Sequence, residues 1–96
     1  MSNTYRALYQ QSLDTARQFR LCHDIEGGLA LVVLLESVAA RLGEFTGTQQ
    51  VELARLIKAI LACQQRQDWL GIADYLDVEL IQLLEQLAHS VGESLR

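Results

Sequence analysis

Proline is absent from this 96-residue chain, and glycine occurs at only six positions. Because these two residues most often interrupt helices, their scarcity predicts long helices joined by short turns. Leu29 to Leu35 is the longest apolar run, whereas a membrane-spanning helix needs about 20 apolar residues. The N-terminal sequence MSNTYRALYQ also lacks the charged-then-apolar pattern of a signal peptide. We therefore expect a helical domain in the cytoplasm, without a membrane partner.

Cysteine is scarce, and acidic residues outnumber basic ones. Cys22 and Cys63 form no Cys-x-x-Cys motif and no Cys/His cluster, so we expect two buried thiols without a disulfide. Eight Lys and Arg residues against twelve Asp and Glu residues give a net charge of −4. Because nucleic acids and anionic membranes attract basic patches, this balance argues against both as partners. The acidic residues are concentrated in residues 68–96, which would attract either the more basic first segment of the chain or a basic partner.

Four segments carry apolar residues at the three- and four-residue spacing of an amphipathic helix. They are residues 3–21, 25–42, 47–66 and 68–92. The short connections between them predict a single all-α domain over residues 1–96, an antiparallel bundle of four helices. Two alternatives stay open: a buried strand from Leu29 to Leu35, and a three-helix core with the second helix at a dimer seam. The connection QQRQD is also compatible with nearly continuous third and fourth helices.

Polar residues mark where three of the helices begin. Asp24 is expected to cap the second helix, although the glycine pair at 27–28 would delay its regular part. Thr46 and Gln49 have the spacing of a capping box, with Thr48 as a competing cap, and the third helix should begin near residue 47. Asp68 is expected to cap the fourth helix.

The fourth segment has one broad apolar face. At about 100° per residue, one side of the helix carries Trp69, Ile72, Ala73, Leu76, Leu80, Leu83, Leu87 and Val91. On a helical wheel of this segment, Asp77 also lies within the apolar half. A buried carboxylate is costly unless it is paired, so we hypothesise an ion pair with Arg6, Arg17 or Arg20 of the first helix.

The second segment is apolar on every side over the sequence LALVVLL, from Leu29 to Leu35. A helix of this kind is buried on most sides, either at the centre of its own bundle or against a second copy of the chain. We therefore predict a homodimer, with Leu31, Val33 and Leu34 at the self-association seam.

Two apolar residues interrupt the polar side of the fourth segment. Tyr75 and Val78 stand there beside Asp74, Glu79 and Gln82. Single exposed apolar residues are common, but this chain has more apolar surface than one small bundle needs to bury. We predict a partner-binding patch at Asp74, Tyr75 and Val78, which fits a helical segment of another protein.

Glu85 and His89 form the strongest alternative site. They lie four residues apart on the fourth helix, with Asp74 at a similar azimuth, and such a pattern can bind a metal or a small ligand. A carboxylate-bridged di-metal bundle, however, needs paired Glu-x-x-His repeats that the sequence lacks.

No Ser or Cys has the surroundings of a nucleophile, and His23 beside Asp24 is typical of a loop histidine. We expect no cofactor, no bound metal and no enzymatic activity.

Residues 51–87 combine an apolar helix, the sequence QQRQDW and a helix of leucines and acids. This layout resembles the flagellar and type III export chaperones of bacteria, in which a polar cluster followed by Asp-Trp opens a long helix. Here that cluster is Gln64 to Trp69. The resemblance implies a small bacterial chaperone for a helical client, and it transfers no site residue. The leading prediction is therefore a non-enzymatic interaction module, a chaperone or adaptor.

Overall fold

The computed structural model describes residues 4–93 and residue 95. Within these residues the chain is all-α, as predicted: α1 spans Thr4–Arg20, α2 spans Asp24–Ala39 and α3 spans Gly47–Gln65, with a short 3-10 helix at Leu42–Glu44. The fourth helix, α4, covers residues 69–90 in three consecutive segments. They are an α-helix Trp69–Asp74, a π-helix Tyr75–Glu79 and an α-helix Leu80–Ser90. Residue 3, the predicted start of the first helix, lies outside the described residues.

The helices form an antiparallel bundle in which α1 is central. α1 packs against α2 and against α4, and α3 in turn packs against α4. Arg20, at the end of α1, contacts Asp74 near the start of α4. At the other end, the backbone N–H of Arg6 donates a hydrogen bond of 2.9 Å to Glu93, which lies just after α4. The spatial order is therefore α2, α1, α4, α3, with α2 and α3 at the two edges.

A left-handed residue separates α3 from α4. Gln67 has a φ of 58°, and the next N–H, that of Asp68, reaches back to the carbonyl of Cys63 at 2.8 Å. This is the Schellman arrangement that satisfies the free carbonyls at a helix end. α3 and α4 are therefore two helices. Cys22, with a φ of 62°, ends α1 in the same way. Cys22 is exposed, so the expectation of two buried thiols is wrong for Cys22 and is confirmed for Cys63.

Two of the three predicted helix starts are confirmed. Thr46 Oγ1 accepts a hydrogen bond from the Gln49 N–H at 3.1 Å, and Gln49 Oε1 accepts one from the Thr46 N–H at 2.9 Å. Asp68 Oδ1 accepts one from the Gly71 N–H at 3.0 Å. Asp24 was expected to be a cap but is the first helical residue, and the position before it makes no side-chain cap hydrogen bond.

Gly27 lets α2 approach α1 closely. A Cβ atom at this position would lie 3.1 Å from the ring of Phe19, which is fully buried and stacks on Trp69 of α4 with ring centroids 5.9 Å apart. α2 runs regularly through both glycines, and at Gly27 the close packing against Phe19 offsets the cost of glycine in a helix. The expected delay in the start of α2 is therefore wrong.

A hydrogen bond links the start of α1 to the connection between α2 and α3. The hydroxyl of Tyr5, which is buried, donates to the carboxylate of Glu44. Burial, together with this hydrogen bond, raises the pKa of Tyr5 to about 12. The same hydrogen bond, assisted by Arg41, lowers the pKa of Glu44.

None of the described helices is both long enough and apolar enough to cross a membrane. Their apolar side chains instead form one core, whose largest fully buried members include Phe19, Leu34, Leu56, Ile60, Ile72, Leu76 and Leu84.

Candidate partner-binding site

The π-helical segment Tyr75–Glu79 lies at the centre of α4 and is held by α1. A π-helix fits one extra residue into a turn, which leaves a backbone carbonyl without its usual helical donor. The hydroxyl of Ser12 on α1 donates a buried hydrogen bond of 2.6 Å to the carbonyl of Leu76. Ser12 is fully buried, so this bond satisfies two polar groups that water does not reach.

Arg20 attaches the same segment to α1 from the surface. Its Nη2 atom lies 2.6 Å from Asp77 Oδ2 and 2.9 Å from Asp74 Oδ1. These hydrogen bonds, the one to Asp77 first, raise the pKa of Arg20. The hypothesis of an arginine partner for Asp77 is confirmed, and the partner is Arg20. The other carboxylate oxygen of Asp77 is buried and makes no hydrogen bond within the described part of the chain.

Arg55 connects α3 to the opposite end of the π-helical segment. Its Nη2 atom lies 2.5 Å from Glu52 of α3 and 2.9 Å from Glu79 of α4. The hydrogen bond from Arg55 lowers the pKa of Glu52, and the two carboxylates raise the pKa of Arg55. The segment is therefore fixed by one arginine from each neighbouring helix.

An open groove of about 500 Å³ lies between the end of α3 and the first half of α4. We call it the α3–α4 groove; it is lined by Cys63, Arg66, Asp68, Gly71, Asp74, Tyr75, Val78 and Glu79. The structure thus brings Asp74, Tyr75 and Val78 to one concave surface. Val78 is 50% exposed, whereas Tyr75 is partly buried against the core. Whether these residues bind a partner stays a prediction.

The rim of the α3–α4 groove is mainly acidic. Asp68, Asp74 and Glu79 line it, and Arg66 is the basic residue among its lining side chains, 3.7 Å from Asp68. The side chain of Asp74 is 69% exposed even though it contacts Arg20. An apolar floor at Tyr75 and Val78 with carboxylates beside it can accept an apolar side chain that is flanked by cations.

The predicted self-association seam needs a correction at two of its three positions. Leu31 and Leu34 are 2% and 0% exposed, because they face α1 and form part of the chain's own core. They therefore cannot contact a second copy. Val33 lies on the opposite side of α2 and is exposed, so its part in self-association stays a prediction.

The alternative site at Glu85 and His89 gains no third ligand. Glu85 is half-buried and His89 is exposed, while Asp74 is hydrogen-bonded to Arg20. Among residues 4–93, no group of three or more His, Cys, Asp and Glu side chains is arranged to hold a metal ion.

Ser12 and Arg55 were not predicted to contribute to the site. On α1, Ser12 and Thr15 are fully buried, whereas the larger apolar side chains of Tyr9 and Leu13 are only half-buried. Positions 8, 12, 15 and 19 have the three- and four-residue spacing of one buried helix face. Ser12 was not recognised as part of that face because a hydroxyl-bearing residue is usually exposed. Arg55 carried no comparable signal, because an arginine on a polar helix face has many possible partners.

No protein-family model, curated protein or solved structure matches the chain.

Proposed function

We propose that this chain is a non-enzymatic interaction module that binds a helical segment of a client protein in the α3–α4 groove. The observation that carries the proposal is the convergence of Asp74, Tyr75 and Val78 on one groove. Val78 is half-exposed beside an aromatic ring and acidic side chains, a mixture typical of surfaces that bind peptides.

The charges of the groove favour a basic, amphipathic client. Asp68, Asp74 and Glu79 line the groove together with Tyr75 and Val78, and α4 itself contains no Lys or Arg. Each of these carboxylates contacts one arginine of this chain and is still partly exposed. A client helix with an apolar residue between lysines or arginines would place that residue against Val78 and its cations against the rim. Because exposed ion pairs are screened by salt, client binding should weaken as ionic strength rises.

A chaperone or adaptor in the cytoplasm of a bacterium is the role we propose for this binding. The resemblance of Gln64 to Trp69 to the export chaperones supports it, and these residues form the turn at one end of the groove. In that turn Gln67 ends α3, Asp68 caps α4 and Trp69 stacks on Phe19.

Photocrosslinking in the native cell tests the groove directly. p-Benzoylphenylalanine in place of Tyr75 puts a reactive aromatic group in the groove, and the same amino acid in place of Val51 is the control. Val51 is 72% exposed on α3 and does not line the groove. A covalent adduct with one protein, formed from position 75 and not from position 51, supports the proposal. Absence of adducts, or the same adducts from both positions, would contradict it.

A further inference from the structure

α2 presents a contiguous apolar face to solvent. Ile25, Leu29, Val32 and Val33 are each more than half exposed, on the side of α2 that faces away from α1. Between Glu26 and Glu36 the helix has no charged residue at all. Isolated exposed aliphatic residues are ordinary, whereas a continuous patch of them marks an interaction surface.

The charges of α2 argue against a membrane as the occupant of this face. Helices that lie on membranes carry Lys and Arg beside their apolar face. α2 contains Asp24, Glu26 and Glu36 and no basic residue, and the whole chain has a net charge of −4. Anionic lipid headgroups would repel such a surface.

The same charges fit a second copy of the chain in one orientation. In a parallel pair in register, Glu26 and Glu36 would each face the same residue of the second copy. In an antiparallel pair centred on Leu29, Leu29 meets its own equivalent and Ile25 meets Val33 of the second copy. Glu36 then lies at the rim of the contact, opposite the turn between α1 and α2, which carries no acid over residues 21–23. Apolar centre and polar rim are the usual layout of an interface.

We propose that the exposed face of α2 is a self-association surface, on which two copies pair as antiparallel helices centred on Leu29. The contact is isologous, as in most soluble dimers. An interface made by one helical face lies at the small end of specific interfaces, so the expected Kd is about 1–100 µM.

Sedimentation velocity of the purified chain between about 1 and 500 µM tests the dimer over the expected range of Kd. The wild type should shift from monomer to dimer, and Leu29→Glu should weaken self-association at least tenfold. Val51→Glu is the matched control and should leave the Kd unchanged, since Val51 is an exposed aliphatic residue of α3. Far-UV circular dichroism shows that each variant is folded. A wild type that stays monomeric, or a dimer insensitive to Leu29→Glu, would overturn the proposal.

Disulfide trapping tests the antiparallel register. In a Cys22→Ser background, which removes the exposed native thiol, Leu29→Cys should form a covalent dimer under mild oxidation. Ile25→Cys alone should not, whereas a mixture of Ile25→Cys and Val33→Cys should form the mixed dimer, because a disulfide needs Cα atoms within about 7 Å. Efficient self-linking of Ile25→Cys, or no linking through Leu29→Cys, would overturn this arrangement.

Discussion

Gln67 occupies a backbone conformation that glycine normally takes. Its φ of 58° ends α3, and a left-handed conformation costs a residue with a Cβ roughly 1–2 kcal/mol. Gln67→Gly should therefore raise the free energy of unfolding by about 1 kcal/mol, measured by urea denaturation.

Gln64→Gly is the control for this prediction. Gln64 is also exposed but lies inside α3, where glycine should lower the free energy of unfolding by about 1 kcal/mol. A loss of stability in both variants would contradict the left-handed turn at Gln67.

The buried hydroxyl of Ser12 is the second residue-scale feature with a measurable role. Ser12→Ala removes the donor to the Leu76 carbonyl and leaves that carbonyl buried without it, which should cost about 1–3 kcal/mol of stability. Ser37→Ala is the control, because Ser37 donates to Val33 within its own helix near the surface, and this change should cost less than about 0.5 kcal/mol. Equal effects in thermal unfolding would show that α1 does not stabilise the π-helical segment through Ser12.

At the scale of the elements, the π-helical segment Tyr75–Glu79 is the feature that the sequence pattern could not predict. A helical wheel assumes the same rotation of about 100° at every residue. The π-helical segment contains one extra residue in its turn, which rotates the part of α4 after Glu79 relative to the part before Tyr75. The predicted core positions Leu76, Leu80, Leu83 and Leu87 are all buried, whereas Val91, assigned to the same face, lies after the end of α4 and is exposed.

The helix starts, in contrast, were largely predictable, because a cap is a local contact between residues close in sequence. The capping box at Thr46 and the cap at Asp68 follow directly from residue types and spacing. The left-handed conformation of Gln67 was not predicted, because glutamine, unlike glycine or asparagine, does not indicate such a conformation in a sequence. The pairing of Asp77 with α1 was predictable from the cost of burying a carboxylate, and the choice of Arg20 needed the packing of the helices.

Asp77→Asn tests the connection between α1 and α4. The change keeps the shape of the side chain and removes the charge that Arg20 contacts at 2.6 Å, so the free energy of unfolding should fall by about 1 kcal/mol at neutral pH. In a double-mutant cycle with Arg20→Ala, the two changes together should cost less than the sum of their separate effects. Unchanged stability of Asp77→Asn, or strict additivity, would count against the ion pair.

At the scale of the whole molecule, the hydrogen bond between Tyr5 and Glu44 makes stability depend on pH at both extremes. The raised pKa of Tyr5 means that its contribution is complete below its ordinary pKa of 10.0 and is lost as pH rises toward about 12. The lowered pKa of Glu44 means that its contribution is present above its ordinary pKa of 4.5 and is lost as pH falls below it.

Urea denaturation of the wild type and of Tyr5→Phe between about pH 3 and 11 should therefore show both losses in the wild type. Tyr5→Phe should reduce the acid loss and the alkaline loss together, since it removes the hydroxyl that donates to Glu44. Parallel pH curves for the two proteins would contradict this link.

The spatial order of the helices separates the two proposed surfaces. The exposed face of α2 and the α3–α4 groove are formed by different helices and share no lining residue. A dimer that pairs through α2 would carry two grooves, and it could bind two client segments or one client with two such segments. Such bivalent binding raises the overall affinity without any new contact.

The most direct test of whether the α3–α4 groove binds a helical partner compares how much client the wild type and the Val78→Glu variant recover from a lysate. Tagged wild type, Val78→Glu and Val51→Glu are incubated with lysate from the native organism, and the bound proteins are quantified by mass spectrometry. Both valines are exposed, but a carboxylate at position 78 would meet the apolar residue of the client. We predict one client that Val78→Glu recovers at least tenfold less than the wild type and that Val51→Glu recovers fully. Equal recovery by all three proteins would contradict binding in this groove.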